Sequence, residues 1–547
     1  MLPGMNNRAL VILHSSKKVY LNLFLSLLSA VVLSLSWPDY GLQILVFASL
    51  IPLLVLFERL GKDKVKGWKV FLYYFLCFLI WNSLTTWWVA NASLAGAMLA
   101  IGLNSLFMAL IVRLAYQFQL QSGLKRGVIT WVLFWISFEF IHYRWELIWP
   151  WLNLGNVFAS EPEWVQFYEV TGVLGGSLWI WLVNIGIWLL FRSMFTHQQH
   201  LMSKGFAMLG VIILPLLWSW LLHSRVDISE GKKIKVLVVQ PNIDAYSEKY
   251  SLSLERQISK FIRLADTKMD SSVRLVIGPE TMIPTGIWQE QARYSSAIRM
   301  LKTWQQKWPK ANLLIGGTTY KRYYNEQLKS PSARFNPSGK FYYDVYNSAL
   351  FLAANDDFEM YHKSKLVPGV EQMPYDEILK PLQSLAIDMG GSSGTLGTQD
   401  EPSVFHLGQG DSLAPAICYE SVCGEHLGNF VKQGANLIAV ITNDDWWGDT
   451  PGYRQHFEYA RLRAVESRRW IVRSANTGIS GVIDPLGRTY KRTKYKFDKV
   501  FKREVFLRDT ETYYVKHGDF IGRWAAWISL LYLIYFILRL AISKLNR

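Results

Sequence analysis

Apolar residues dominate the first 222 positions in runs long enough to cross a bilayer, and then give way to ordinary alternating sequence. A membrane helix needs about 20 consecutive apolar residues. Runs near that length fall at 19–37, 41–57, 68–89, 94–116, 127–142, 167–191 and 206–223, and again at 520–542. The first two are short and joined tightly through Pro38 and Asp39, which predicts a tilted or partial span there. No small-residue cleavage site follows Leu35 and Ser36 and further spans come after, so the first run reads as a retained helix rather than a secretory signal.

Between the seventh and eighth runs the pattern changes. KVLVVQPNI, RLVIGPE, NLLIGGTTY, NSALFLAA, APAICYE, NLIAVITND and WIVRSANTG are short strand-like runs ending in polar turns. Stretches 251–268, 290–307 and 453–469 carry helical spacing; in the last, His456, Phe457, Ala460, Arg461 and Ala464 recur at 3- and 4-residue steps. Strands followed by helices predict an α/β layered fold with a mixed sheet. The Tyr-rich 321–346 stretch predicts a mobile loop or hairpin insertion, and 382–404, with MGGSSGTLG, a flexible loop. The expected organisation is seven membrane helices over 1–228, an exported globular domain over 229–510, and a final helix with a short tail over 511–547.

The net charge of +16 invites a nucleic-acid reading, but the placement of the charges argues against it. Basic residues gather at Arg8, Lys17 and Lys18, at Arg59 to Lys69, at Lys125 and Arg126, at Arg192 and Lys204, and at Arg539 to Arg547. The intervening hairpins around Asp39 and Asn91 carry none, and the 143–164 loop has only Arg144. This alternation is the positive-inside rule. It predicts both termini in the cytoplasm, an even number of spans, the globular segment outside the cytoplasm and no nucleic-acid partner. The three cysteines, at 77, 418 and 423, do not make a disulfide scaffold.

Candidate chemistry concentrates in the globular segment. Cys418 sits at the polar end of its strand, followed at once by Tyr419 and Glu420. A lone buried Cys is usually only a small hydrophobe, but here other reactive residue types sit at the ends of other strands. A thiol needs a base or a positive charge to become a nucleophile. Glu280, flanked by Pro279 and Pro284, is the candidate base; its bland alternative is a solvated carboxylate. Lys363 is the candidate oxyanion partner, helped by a backbone N–H near Tyr419, and Glu371 would orient Lys363 or receive an amine. Cys423 reads as structural. Gly390–Gly394 matches a nucleophile-elbow pattern without a bracketing strand and helix. Cys423 and His426 are spaced like half a metal site with no second pair, so no metal is expected. No phosphate loop or dinucleotide fingerprint implies a cofactor. Glu139, inside an apolar run, faces either a protein-lined cavity or the interface at a helix end.

The order Glu280, Lys363, Glu371, Cys418 resembles the carbon–nitrogen hydrolase (nitrilase) superfamily. VVQPNI, GPETMIP, YHKSKLVPGVE, AICYES, TNDDWWG, QHFEYARLRAVESRRWIVRSANTGIS, TYYVKHGD and WPWLNLGN at 149–156 extend that resemblance, nearly end to end, to its membrane-embedded branch, the apolipoprotein N-acyltransferases. The resemblance implies an αββα sandwich outside the membrane on an eight-helix bundle in the bacterial inner membrane, with the sandwich in the periplasm. It implies ping-pong transfer of a phospholipid sn-1 acyl chain, through a Cys418 thioester, to the α-amine of a diacylglyceryl-cysteine lipoprotein. Glu280 would be the base and Lys363 would hold the oxyanion. Glu371, Tyr419 and Glu420 match neighbouring family residues, and Trp446, with Trp447 beside it, matches a tryptophan that faces lipid. Three positions depart from the family pattern: LVPGVE for LVPFGE, Gly278 for a frequent Trp, and Pro241 for Gly. The first two are expected where the acyl chain or headgroup lies. The competing expectations are a membrane-tethered amidase or nitrilase acting on a soluble amide, and a transporter or receptor whose exported domain only binds ligand.

Overall fold

The computed structural model describes residues 7–195, 201–244, 247–249, 251–375 and 395–545. The apolar runs form long helices at Asn7–Leu35, Gly67–Thr86, Leu94–Ser122, Leu124–Ile141, Tyr168–Phe195, Leu201–Arg225 and Phe520–Leu545. The second run is broken. It passes through a 3-10 turn at Gln43–Leu45 and a short helix at Val46–Ser49 before Ile51–Lys62, where Pro52 lies in the first turn and its missing N–H is harmless. Among the described residues seven segments, this composite one included, are long and apolar enough to cross a membrane. The expected eighth, Leu124–Ile141, departs because Lys125, Arg126 and Glu139 dilute its 18 residues. It is helical nonetheless, packed against Leu94–Ser122 and Phe520–Leu545.

Aromatic side chains fill the bundle. Trp37, Trp81, Trp131, Trp135, Trp151 and Trp181 are fully buried, with Trp131 and Trp181 edge-to-face at 5.1 Å. Glu139 lies in this interior rather than at a lipid interface. Its Oε1 accepts from Trp135 Nε1 and from the Leu154 amide, both at 2.9 Å, which ties the WPWLNLGN loop to the helix.

The globular part is an αββα sandwich. Its first sheet comprises β1 (Lys232–Gln240), β2 (Val273–Ile277), β3 (Ile283–Trp288), β4 (Asn312–Tyr323), β5 (Arg334–Asn336), β6 (Phe341–Leu352), β7 (Phe358–His362) and β14 (Lys499–Leu507). They run β14-β1-β2-β4-β6-β5, with β3 on β4 and β7 on β6. The second comprises β8 (Phe405–Gly408), β9 (Asp411–Ile417), β10 (Leu437–Thr442), β11 (Ile471–Ala475), β12 (Gly481–Ile483) and β13 (Thr489–Tyr490), in sequential order. The parallel pairs β1–β2, β2–β4, β9–β10 and β10–β11 align strand ends at a common rim.

Side-chain alternation explains the layering. In β1, Val236 and Val238 point between the sheets, while Leu237 and Val239 point under helices Leu254–Asp266 and Ser296–Gln305. Both faces are covered, so the strand reads as an unbroken apolar run. On the far side Gly424–Lys432 and Pro451–Ser467 cover the second sheet.

The 321–346 stretch is a hairpin, not a mobile loop. β4 extends to Tyr323, β5 pairs with β6, and fully buried Asp344 accepts from the hydroxyls of Tyr323 (2.5 Å), Ser330 (2.6 Å) and Ser332 (2.9 Å). The Gly390–Gly394 pattern lies outside the described residues. The bundle core continues into the sandwich: Tyr419, Val422, Cys423, Tyr459, Leu462 and Val465 belong to the same apolar cluster as Trp37 and Trp151.

Candidate active site

Three strand ends and the turn after one of them deliver the predicted residues to one place. Cys418 follows β9 directly and opens a 3-10 turn at Cys418–Val422 with φ +51°, a left-handed conformation rare outside glycine. Strain of this kind persists only where neighbours fix it. Glu420, fully buried, supplies much of that fixing. Its Oε2 accepts from the Ile417 amide (2.8 Å), and its Oε1 from the Tyr361 hydroxyl and the Ser364 amide (2.6 Å each). The Cys418 carbonyl accepts from Ser421 Oγ (2.7 Å) and lies 3.1 Å from His456 Nε2.

Glu280 leaves the end of β2, and Thr281 after it also has a positive φ of 47°. The turn fits only because Gly316 is beside it: a Cβ there would come within 2.5 Å of the Glu280 Cα. Glu280 Oε1 accepts from Asn347 Nδ2 (2.6 Å) and Oε2 from the Asn443 amide (2.8 Å). Lys363 follows β7, its amide held by the Asn347 carbonyl at 2.9 Å. Its ammonium donates to Glu371 at 2.8 Å and lies 3.5 Å from Glu280 Oε1. Glu371 Oε2 also accepts from the Val367 amide at 2.9 Å, so Glu371 is placed to orient Lys363.

The electrostatics follow from burial. Desolvation works against the Lys363 charge, but Glu371 and Glu280 outweigh it and raise its pKa, so it stays an ammonium. Burial, then the nearby Glu280, pushes the Cys418 thiol up, with Lys363 pulling the other way. Cys418 therefore rests as a thiol, which needs a base to become a nucleophile. Burial also raises Glu280 above the ordinary carboxylate range, against the pull of Lys363. A carboxyl raised in this way suits general-base chemistry nearer neutral pH.

A cavity of about 200 Å³ opens onto Cys418, Glu280, Lys363 and Glu371. A second, about 240 Å³ and almost wholly apolar, lies between the bundle and the sandwich, walled by Trp88, Leu99, Leu103, Phe107 and Trp149. Ala92, Val367, Val370 and Trp447 line both. Val370, a departure from the family pattern, thus stands at the junction of the two cavities. Gly278 does not: its missing side chain would point at Phe261 in the helix–sheet core, 2.8 Å away.

The two tryptophans expected to face lipid both line cavities. Trp447 lines the catalytic and the apolar one. It wedges against Trp88 (4.8 Å), Trp151 (5.7 Å) and His456 (5.5 Å). Trp446 lines the catalytic cavity, with Lys249 Nζ 5.4 Å from its ring. Tyr419 turns away from the cavity and donates to the Ile148 carbonyl at 2.8 Å, anchoring the elbow to the bundle. Cys423 is buried in the bundle-side cluster, and His426 pairs with Glu420 at 3.2 Å instead of completing a metal pair.

Several site residues gave little sequence signal. Asn347 is one of three polar residues, with Asp344 and Ser348, in the strand Phe341–Leu352, which is a weak cue; Asn443 acts through its amide, which is none. His456, Asp444 and Arg473 form a buried chain behind the elbow, His456 Nδ1 to Asp444 at 2.9 Å and Arg473 to Asp444 at 2.7 Å. Ligand atoms of Cys418, Asp444 and His456 lie within 4.8 Å of one another, close enough to hold a metal ion. The Arg473 guanidinium, 3.0 Å from His456 Nδ1, already supplies positive charge there. Burial raises Asp444, but Arg473 and His456 outweigh it and hold the carboxyl well below its ordinary value.

Residues 29–186 match the family described as the apolipoprotein N-acyltransferase N-terminal domain, and residues 235–513 match the carbon-nitrogen hydrolase family. The apolipoprotein N-acyltransferase of Chlorobaculum tepidum is 30% identical, covering 91% of this chain and 93% of its own length. That of Thermotoga maritima is 26% identical over 96% and 94%. Among solved structures, Saccharomyces cerevisiae Nit3, of the nitrilase superfamily, is similar at 17% identity and a TM-score of 0.35, over 51% of this chain and 92% of its own.

Proposed function

This chain belongs to the apolipoprotein N-acyltransferase family, and from that premise we propose that Cys418 carries an acyl chain from a membrane phospholipid to the N-terminal amine of a diacylglyceryl-cysteine lipoprotein. Glu280 takes the thiol proton as Sγ attacks the sn-1 ester carbonyl. The tetrahedral oxyanion meets the Lys363 ammonium and a backbone N–H of the elbow. The C–O bond breaks, Glu280 returns the proton to the departing lysophospholipid oxygen, and a thioester remains. The acceptor amine then attacks that thioester. Its proton passes to Glu280, the C–S bond breaks and the thiol is restored. Glu371 holds Lys363 in place throughout, and Glu420 and Tyr419 hold the elbow.

One observation carries this reading: the catalytic cavity shares Val367, Val370 and Trp447 with an apolar cavity against the bundle. Each buried methylene is worth about 0.8 kcal/mol, so a long chain drawn from the bilayer needs apolar cover beside the nucleophile. A tethered amidase acting on a soluble amide has no use for it. The alternation of basic loops supports an inner-membrane setting with cytoplasmic termini and the sandwich on the periplasmic side. The test is incubation with labelled phospholipid and no acceptor amine, followed by intact-mass analysis. A hydroxylamine-labile adduct on Cys418 is expected. Its absence, or its survival in Cys418→Ala, would sink the proposal.

A further inference from the structure

The reaction above leaves a buried histidine–aspartate pair beside the nucleophile without a task. His456, Asp444 and Arg473 are fully buried, and neither His456 nor Asp444 lines the catalytic or the apolar cavity. Yet a ring nitrogen of His456, a carboxylate oxygen of Asp444 and the Cys418 sulfur lie within 4.8 Å of one another. Burying such a charged chain is costly, and apolar residues of similar volume often stabilise a core as well. Its place directly under the elbow points to a purpose other than packing. The hydrogen positions follow from the neighbours. His456 Nε2 faces the Cys418 carbonyl at 3.1 Å and Ser421 Oγ at 3.0 Å. The Ser421 hydroxyl already gives its hydrogen to that carbonyl at 2.7 Å. Nε2 thus meets two acceptors and carries a hydrogen of its own. Nδ1 meets both a carboxylate, Asp444, and a donor, Arg473, so either protonation state suits it. Burial, then the Arg473 charge, lowers the His456 pKa against the pull of Asp444, so the ring is neutral. Trp151 and Trp447 flank it, with ring centres 6.0 and 5.5 Å away. The Cys418 carbonyl is therefore held from behind by two donors.

A peptide unit is planar and trans, so its C=O and N–H point to opposite sides. The Cys418 carbonyl and the Tyr419 N–H belong to one such unit. Tyr419 is the second residue of the 3-10 turn Cys418–Val422, where an N–H finds no acceptor within the turn. Drawing the carbonyl back toward His456 points this N–H forward. We propose that His456 is a positioning residue for the oxyanion: by holding the Cys418 carbonyl at the back of the elbow, it turns the Tyr419 N–H toward the ester oxygen that takes up the electron pair when Sγ attacks. Asp444 and Arg473 fix the ring for that task. The proposal rests on the acyl-transfer reading above and deepens it by naming what aims one of the two oxyanion donors, Lys363 being the other. It also gives the left-handed φ of Cys418 a use, since a strained residue keeps its geometry only where its neighbours pin it.

Two reactions of the same sulfur separate this role from its rivals. Acylation by a phospholipid builds an oxyanion; alkylation by iodoacetamide displaces iodide from a saturated carbon and builds none. Both are followed by intact mass on the full-length protein in non-ionic micelles. His456→Leu should slow acylation on the order of 10²-fold, the scale of a lost oxyanion donor, and leave the rate and pH onset of alkylation unchanged. His456→Gln, whose amide N–H can reach the same carbonyl, should recover most of the acylation. Ser421→Ala removes the second hold with little loss of volume and should show the same selective loss, smaller in size. If His456→Leu does not fold, Ser421→Ala alone decides, by the same two rates. Undiminished acylation in His456→Leu would overturn the proposal. So would acylation and alkylation falling together in both variants, which marks a merely structural role, or a shifted alkylation onset, which marks a role in the charge of the thiol. No phospholipid adduct on the wild type, with alkylation intact, would instead remove the acyl-transfer reading itself.

Discussion

Replacing Lys363 by Met tests the centre of the site, because the substitution keeps most of the volume and removes only the charge. Lys363 is 1% exposed and lies between two carboxylates that are themselves almost fully buried. Removing one partner of such a group costs about 3–5 kcal/mol. The loss has a definite pH dependence. Glu280 already titrates above its ordinary range, and Lys363 opposes that shift, so its removal raises the Glu280 pKa further. A carboxylate raised in the folded state stabilises the fold below its unfolded pKa and loses that contribution as pH rises through the folded value. Lys363→Met should therefore be least stable relative to wild type above neutrality and recover as the medium is acidified. The wild-type lysine, raised above its unfolded value, keeps its contribution until strongly alkaline pH. Thermal unfolding of the detergent-solubilised protein across mildly acidic to mildly alkaline pH reads this directly. Cys418 acylation should fall on the order of 10²–10³-fold, as for loss of one oxyanion donor. A stability deficit that is flat with pH, or that deepens on acidification, would refute the electrostatic account of the cluster.

Other substitutions probe the remaining parts. Glu280→Gln should abolish acylation while moving the onset of Cys418 alkylation by iodoacetamide to lower pH, because the charge that raises the thiol is gone; an onset moved upward, seen by mass spectrometry, would contradict this. Gly316→Ala should push the Glu280 turn out of place, since the new Cβ lies 2.5 Å from its Cα, costing about 1–3 kcal/mol in thermal stability and slowing acylation. Val370→Trp should obstruct the junction between the cavities. If about four methylenes lose cover, long-chain donors lose roughly 3 kcal/mol relative to short-chain ones, a difference that competition between donor lengths would reveal.

The layered fold was legible because its strands are apolar on both faces and its membrane runs are long. Two elements were legible in extent but not in detail, for physical reasons. The 41–57 run gives no helical start signal, and only packing decides that it opens as a 3-10 turn before Pro52. The Leu124–Ile141 helix carries charges that hydropathy counts against it, yet Glu139 is satisfied by Trp135 and the Leu154 amide, contacts invisible along the chain. In the site, residue types at strand ends pointed to Cys418, Glu280 and Lys363. The supporting atoms did not show themselves, because the Asn443 and Val367 amides act as backbone, which every sequence has. Trp446 and Trp447 carry a related ambiguity: adjacent aromatics near a membrane look alike along the chain whether they meet lipid or line a cavity.

The elbow is a joint product of two bodies. Tyr419 hangs from the Ile148 carbonyl, and Tyr459 links Trp37 at 3.1 Å to the Trp151 carbonyl at 2.8 Å. The sandwich cut free of its helices would lose these anchors and expose the faces they cover. A chain whose helices insert wrongly would likewise leave its sulfur unsupported and harmless to the surrounding lipid. Correct insertion is thereby built in as the condition for arming the enzyme, and a soluble fragment is the wrong object in which to look for its chemistry.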